Sequence, residues 1–320
     1  MKYKLLLVVT LFIVTIAKAQ FSDVNDVVSD FLLISKKYVT PGAEAAIHQS
    51  TAGWFRTASP LGPWEIDASV HGNIIYLPED RKTAQINNSE LKNLRLTDGS
   101  QTATIATSLG DDRKVFFTGE IFGQEFQLQS LEGLNQDEFI HGFLQASVGL
   151  PKNTQLTIRY APPIPIDDVA YLAYGVGLQH SISQYLNSEN RVKLAAEATY
   201  SYINFNIAFN PISIPGTTLQ SVDITANAFL FQAVASSRFN NLEPVAAFGI
   251  SRSSFKYQLN GEGETFLNFA NDALDGLDET DTVLVGHLGL NVYIGDFSIQ
   301  AITTFGRFVN GNLGLHYTFN

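Results

Sequence analysis

The feature that most constrains this chain is a period of two in hydrophobicity, held over unusually long stretches. In 64–76 the apolar set Trp64, Ile66, Ala68, Val70, Ile74, Tyr76 alternates with Glu65, Asp67, Ser69, His71, Asn73. Ten such segments occur, at 64–78, 139–150, 154–162, 169–186, 191–207, 221–239, 243–258, 282–294, 297–308 and 312–320. Alternation is the mark of strands with one apolar face. Several of these run well past the roughly 5–6 residues of an ordinary strand and match the roughly 9–11 that cross a bilayer. The connections alternate between short turns, such as 151–153 and 240–242, and mostly longer loops, such as 208–220 and 259–281. That layout predicts an all-β fold: a transmembrane antiparallel up-and-down β-barrel over 64–320. Short turns placed in the periplasm put both mature termini there, which requires an even strand number, ten or twelve. Aromatic residues near strand ends suit the bilayer interfaces: Trp64, Tyr76, Phe139, Tyr160, Tyr185, Tyr200, Tyr202, Phe297, Tyr317 and Phe319.

Residues 1–19 have the layout of a cleaved export signal: Lys2 and Lys4, an apolar run Leu5 to Ile16, then Ala17-Lys18-Ala19 before Gln20. The run is too short for a spanning helix. Its removal takes three Lys and no acid, moving the formal charge from -11 to -14. Such an acidic chain is a poor nucleic-acid partner. The absence of Cys excludes disulfides and thiolate ligands. Only 16% of residues are charged, with 23 Phe and 24 Gly, as expected when every second strand residue meets lipid.

Residues 20–63 form a separate unit. Val24, Val27, Val28, Phe31 and Ile34 share one helical face over 22–37, with acids early, Lys36 and Lys37 late, and Pro41-Gly42 as a stop. This short N-terminal helix is either a plug or gate, carried by Val24, Val28 and Phe31, or a periplasmic helix against the rim. The long segment 79–138 holds two weaker strand candidates, 101–109 and 114–122. They form either a hairpin outside the bilayer or two further barrel strands.

The polar strand faces supply the lumen candidates: Glu65, Asp67, His71, Gln145, Arg159, Lys193, Glu197, His287 and Asn291. Mixed signs in a narrow barrel hold it closed, because a buried charge requires a partner. His71, His141, His287 and His316 share that face, but their spacing builds no metal motif, and no metal or cofactor is expected. The acidic run Glu262, Glu264, Asp272, Asp275, Asp278, Glu279, Asp281 with His287 nearby is the one place where an acid–His pair is conceivable. It reads better as a solvated loop, and Gly175-Val176-Gly177 reads as strand bending or close packing. No catalytic residue is assigned.

Several stretches resemble known groups. Leu313-Gly314-Leu315-His316-Tyr317-Thr318-Phe319 resembles the C-terminal targeting strand of bacterial outer-membrane proteins, with Asn320 following the aromatic end. That likeness implies the barrel-assembly machinery as a partner. Gly142 to Tyr160 and Tyr174-Gly175-Val176-Gly177-Leu178-Gln179-His180-Ser181-Ile182 are similar to an exported Gram-negative barrel family of unknown function. Pro41 to Ala46 with Ala52-Gly53-Trp54-Phe55 resembles the N-terminal region of long-chain fatty-acid outer-membrane channels. That resemblance implies binding or narrow, gated passage of a small hydrophobic molecule. The rival readings are a structural or surface-interaction barrel without transport and, third, an outer-membrane hydrolase. The expected location is the cell outer membrane, in contact with its lipid. Edman sequencing of the mature protein is expected to begin at Gln20; a start at Met1 would remove the cleaved signal.

Overall fold

A computed structural model describes residues 2–319 apart from 122, 167–168, 187–190, 215–216 and 276–278. The side chains before Asn25 lie outside that description, as do those of 164–166, 169–170, 209–210, 212, 214, 264–266, 269, 273, 275 and 279. Helix α1 (Lys2–Ser50) is followed by strand β1 (Ile66–Tyr76). Five short strands come next: β2 (Thr83–Asn87), β3 (Arg95–Leu96), β4 (Thr102–Ala106), β5 (Phe116–Ile121) and β6 (Gln124–Gln129). Then follow β7 (Glu138–Leu150), β8 (Thr154–Ile166), β9 (Val169–Ser181), β10 (Lys193–Ile214), β11 (Thr217–Ser236) and β12 (Leu242–Glu262). Helix α2 (Glu264–Asp275), β13 (Glu279–Ile294), β14 (Phe297–Phe305) and β15 (Val309–Phe319) complete the chain.

Ten strands close a barrel in the order β1-β15-β14-β13-β12-β11-β10-β9-β8-β7, every pair antiparallel. Closure satisfies backbone groups that a lipid environment would leave unpaired. The segment 79–138 contributes none of the ten. Neither expected form of 101–109 and 114–122 occurs: β4 pairs with β2, and β5 lies between β3 and β6, in two small sheets beside the barrel. Their apolar sides turn inward, with Ile86, Leu94, Ile105 and Phe117 at 0–1% exposure. Residues buried this way around α1 have no face left for lipid.

The alternation has a clear physical meaning. Along β1, Ile66, Val70, Ile74 and Tyr76 face outward and exposed, while Asp67, Ser69, His71 and Asn73 are buried in the lumen. On the longest strands this polarity inverts. Below Tyr202 on β10 the inward residues are Glu197, Thr199 and Ser201; above it they are Ile203, Phe205 and Ile207. On β12 the outward set changes from Phe248 and Ile250 to Arg252, Ser254, Lys256, Gln258. The strands therefore leave the bilayer and continue into water, apolar side now inward. This corrects the expected long loop 208–220: β10 and β11 run on through most of it. Loop 259–281 likewise carries α2, with Ala270 and Leu274 buried in the same core.

Aromatic girdles mark both interfaces. Tyr76 and Tyr160 are exposed at one, and Phe297 and Phe319 at the other. Tyr174 stacks on Tyr202 with centroids 4.8 Å apart. Phe139 departs from the expected girdle and turns inward beside Ile75 and Leu109.

Helix α1 does not stop at Pro41. Pro41 lies inside it, and the helix continues to Ser50. The missing Pro41 N–H removes one helical bond, yet Ala43, Ala45 and Ile47 beyond it are buried, and tertiary packing overrides the local stop. Val28 and Phe31 do not plug the lumen. They pack in the core shared with β3, β5 and β10–β12 outside the bilayer, while the side chain of Val24 lies outside the described residues. Asp30, 1% exposed, accepts the backbone N–H groups of Lys92, Asn93 and Leu94, each at 2.7 Å. Tyr38 donates to Glu132 O at 2.8 Å, and burial, with the charge of Glu132, pushes its phenol up to about 12. Asp30→Leu is expected to leave three backbone donors without their acceptor, the buried one of Leu94 at about 1–3 kcal/mol and the part-buried ones of Lys92 and Asn93 at less. Limited proteolysis should then cut within 77–137 while the barrel stays heat-modifiable on gels; an uncut segment would sink this account of the anchor.

Candidate functional site

Beyond Ser50 the chain passes through the barrel. Gly53, at φ 68°, turns the chain out of the helix, and a Cβ there would meet Asn312 Oδ1 at 2.7 Å. Residues 51–63 then cross the lumen. Gln300 Nε2 donates to Phe55 O at 3.0 Å and Asn291 Nδ2 to Arg56 O at 2.6 Å. Gln179 Nε2 donates to Thr57 O at 2.8 Å, and Leu61 N to Gln155 Oε1 at 3.1 Å. Trp64 N reaches Gly149 O at 2.8 Å at the far rim. The start of α1 and the C-terminal strand end therefore lie at opposite mouths, unlike the expected arrangement with both on one side. The reason is that 51–63 makes one pass through the lumen, which a strand count does not register.

Arg159 anchors this pass. Its guanidinium carbon sits 4.0 Å from the Trp54 ring centroid and 4.0 Å from that of Phe143. Its Nη1 donates to Ser50 O at 3.1 Å, the C-terminal carbonyl of α1, where a cation is favoured. Gln145 Oε1 accepts from Nε and Nη2 at 3.2 and 3.0 Å. Gly175 and Gly177 make room for the indole, since a Cβ at Gly175 would meet Trp54 at 2.8 Å and one at Gly177 would meet it at 3.1 Å. Their spacing reflects the close packing of one ring against the wall.

A second clasp lies nearer the C-terminal mouth. Asp67 accepts from Arg56 Nη1 at 2.6 Å, His316 Nδ1 at 2.8 Å and Thr318 Oγ1 at 3.1 Å. His71 packs edge-on to His316 with centroids 5.0 Å apart. Glu197 accepts from Gln232. His287, 1% exposed, shares a hydrogen bond with Thr304 at 2.9 Å, and Asp281 pairs with Arg307 rather than with a His. Glu65 and Lys193 sit at the mouth and not in the packed lumen. Among the described residues no group of three or more His, Asp or Glu could hold a metal.

The wall is not continuous. β7 and β8 pair only from Leu144–Tyr160 to Leu150–Thr154. Beyond Leu144 and Tyr160 the two strands part, leaving 138–143 and 161–166 without each other. Ala161-Pro162-Pro163-Ile164-Pro165-Ile166 is the cause: three prolines remove ladder donors and fit only an edge. The β8–β9 register also slips between Ala161 and Ile164. Behind the parted strands, a cavity of about 80 Å³ lies between α1 and the wall, lined by Gly42, Ala45, Ala46, Ile75, Phe139 and Tyr171 among others. His141, edge-on to Tyr171 at 4.5 Å, forms its polar end, with Gln49 beside it. Sequence reasoning missed this pocket, although the Pro cluster signalled a broken edge.

A family model described as "Family of unknown function (DUF6588)" matches residues 1–319. Among solved structures, the chain is similar to Ail, the attachment invasion locus protein of Yersinia pestis, at 12% identity and TM-score 0.26. That match covers 81% of this chain and 100% of the other. The translocator domain of autotransporter NalP from Neisseria meningitidis matches at 7% identity and TM-score 0.34, covering 87% and 94%. The outer membrane protein OprG from Pseudomonas aeruginosa matches at 9% and TM-score 0.31, covering 83% and 100%. No curated protein matches.

In a Trp64→Phe background the only remaining indole is Trp54, 1% exposed. Arg159→Ala is expected to red-shift its emission and raise acrylamide quenching severalfold. Unchanged quenching would show that the threaded segment does not depend on Arg159.

Proposed function

The chain belongs to that family of unknown function, and for it we propose that this outer-membrane barrel binds a small, largely apolar molecule at the parted β7–β8 wall. The observation that carries the reading is the apolar cavity lying directly behind the unpaired edges. The barrel axis is a poor route, because Trp54 and Phe55, each 1% exposed, occupy it. A ten-stranded barrel leaves little bore even when empty. At about 80 Å³ the cavity is smaller than the roughly 150 Å³ engineered cavity that takes benzene. It therefore suits the end of an alkyl chain whose remainder lies in the gap between the strands. His141 and Gln49 offer a polar contact. Outside the gap, Ile140 is 66% exposed, so the approach is apolar on its bilayer side. Passage, where it occurs, requires α1 to shift.

A second reading has its own support. The Asp67–Arg56–His316 clasp and the filled axis suit a structural or surface-interaction barrel whose elaborated end, β2–β6 with α2, does the work. A hydrolase is the least supported, because Asp281 at the rim pairs with Arg307 and His287 with Thr304, while the Asp67–His316 pair lies in the packed lumen. Export with signal cleavage, and insertion through the closing strand β15, complete the proposal.

The test is binding of the fluorescent apolar probe N-phenyl-1-naphthylamine to the full chain in lipid nanodiscs. We expect saturable binding, weakened at least tenfold by Ala46→Phe, which fills the cavity. Equal binding by both proteins would discard the pocket and favour the structural reading.

A further inference from the structure

A second cavity lies at the opposite mouth, independent of the pocket behind the seam. It measures about 590 Å³, and its lining includes Arg56, Arg191, Lys193, Arg238, Glu243 and Tyr293. Two of these cations meet at one place. Lys193 opens β10 and pairs with Ser236, which ends β11. Just beyond that pair, Ser237 Oγ donates to Arg191 O at 3.3 Å, holding the two chain ends side by side. Arg191 and Arg238 thus extend adjacent strands, and like charges placed opposite each other across a ladder are destabilising.

The acids of the cavity are already engaged. Glu243 accepts from Thr57 and Tyr293, and Glu65 accepts Gly62 N at 2.7 Å. Arg56 is spoken for by Asp67. Arg238 stacks on Tyr293 at 3.9 Å and uses Nε for Asn240 O, contacts that fix its plane and leave its terminal nitrogens free of an acid. Among the described residues Arg191, Lys193 and Arg238 form no ion pair. The excess of positive charge is notable in a chain of net charge -11.

The parity of these residues selects the kind of ligand. Lys193 continues the inward set of Ala195 and Glu197, and Arg238 continues that of Ser236. The outward neighbours Val192 and Leu242, 51% and 47% exposed, belong to the lipid-facing girdle. The cations therefore face the lumen mouth and not the bilayer. We propose that this vestibule binds a small soluble molecule carrying two or more phosphate or carboxylate groups, held between the Arg191–Arg238 pair and Lys193. Guanidinium groups suit such a ligand because their paired N–H donors match two anionic oxygens at once.

The experiment is calorimetric titration of inorganic pyrophosphate into the full chain in uncharged detergent at low salt. The expected result is saturable one-to-one binding that weakens as NaCl rises. The Arg191→Gln/Arg238→Gln variant should bind at least tenfold more weakly, while Arg238→Lys keeps part of the affinity. Heat-modifiability on gels confirms that each variant still forms the barrel. Absent wild-type binding, or equal affinity in the double variant, overturns the proposal. So does loss of pyrophosphate binding in nanodiscs when phosphatidylglycerol is added, because the site would then take lipid headgroups.

Discussion

The closed state of this barrel depends on one buried cation. Arg159 lies between two aromatic rings and ends the helix that enters the lumen. A guanidinium removed from water is costly unless every side of it is met. Here the two faces meet Trp54 and Phe143, and the edges meet Ser50 O and Gln145. A desolvated cation–π contact contributes about 2 kcal/mol, and a hydrogen bond to a charged group about 1.5–3 kcal/mol. Together these contacts are comparable to the several kcal/mol of desolvation. Phe143 and Gln145 belong to the neighbouring wall strand, but the contacts with Ser50 O and Trp54 form only where α1 ends at Ser50 and the chain turns at Gly53. The placement of the helix, the fit of the indole beside Gly175 and Gly177, and the blocked axis therefore stand together.

The long strands solve a separate problem, that of one sheet passing between two solvents. In lipid, the outward residues must be apolar and the lumen can be polar. Above the bilayer the outward residues meet water, and the inward ones can build an ordinary core. β10, β11 and β12 make this exchange without changing their pleat: residue type switches while the period of two continues. That inward core then gives α1, α2 and the small sheets β2–β6 an apolar surface to pack on. The elaborated end is thus a water-soluble domain sharing three strands with a membrane domain.

The barrel was legible in the sequence because lipid imposes a strict alternation, and ten of its strands showed it. The inversion on β10 and β11 was less so. The alternating segments end at 207 and resume at 221, so 208–220 was expected to be a loop, while the polar outward residues Asn204, Asn206 and Asp223 inside them did not register as a change of surroundings. Lumen burial followed from parity for Asp67, His71, Gln145, Arg159, Glu197, His287 and Asn291, but their partners did not. Parity says which face a residue occupies; it does not say that the chain's own segment 51–63 fills the space. Trp54 and Phe55 carried a signal in this respect, as two large aromatics in a stretch with no strand of its own. Val28 and Phe31 showed a helical face correctly, and only the surface that covers it was out of reach.

The prolines of β8 connect these themes. An unpaired strand edge is normally covered, charged or kept short. Here it is preserved inside an otherwise closed wall, since Pro162, Pro163 and Pro165 cannot donate to β7 even when the strands approach. The gap is therefore built into the covalent chain and does not require breaking formed hydrogen bonds. What lies behind it is built as well. Gly42, Ala45 and Ala46 give α1 a small-residue face at that height, where bulkier side chains would fill the cavity. Gly42 also lies so close to Ser108 that a Cβ would meet its Oγ at 2.5 Å, which fixes the helix against the loop after β4. A pre-formed gap in the wall and a helix pinned just short of filling it are two separate features. Their coincidence at one height is what distinguishes this wall from one merely frayed at its rim.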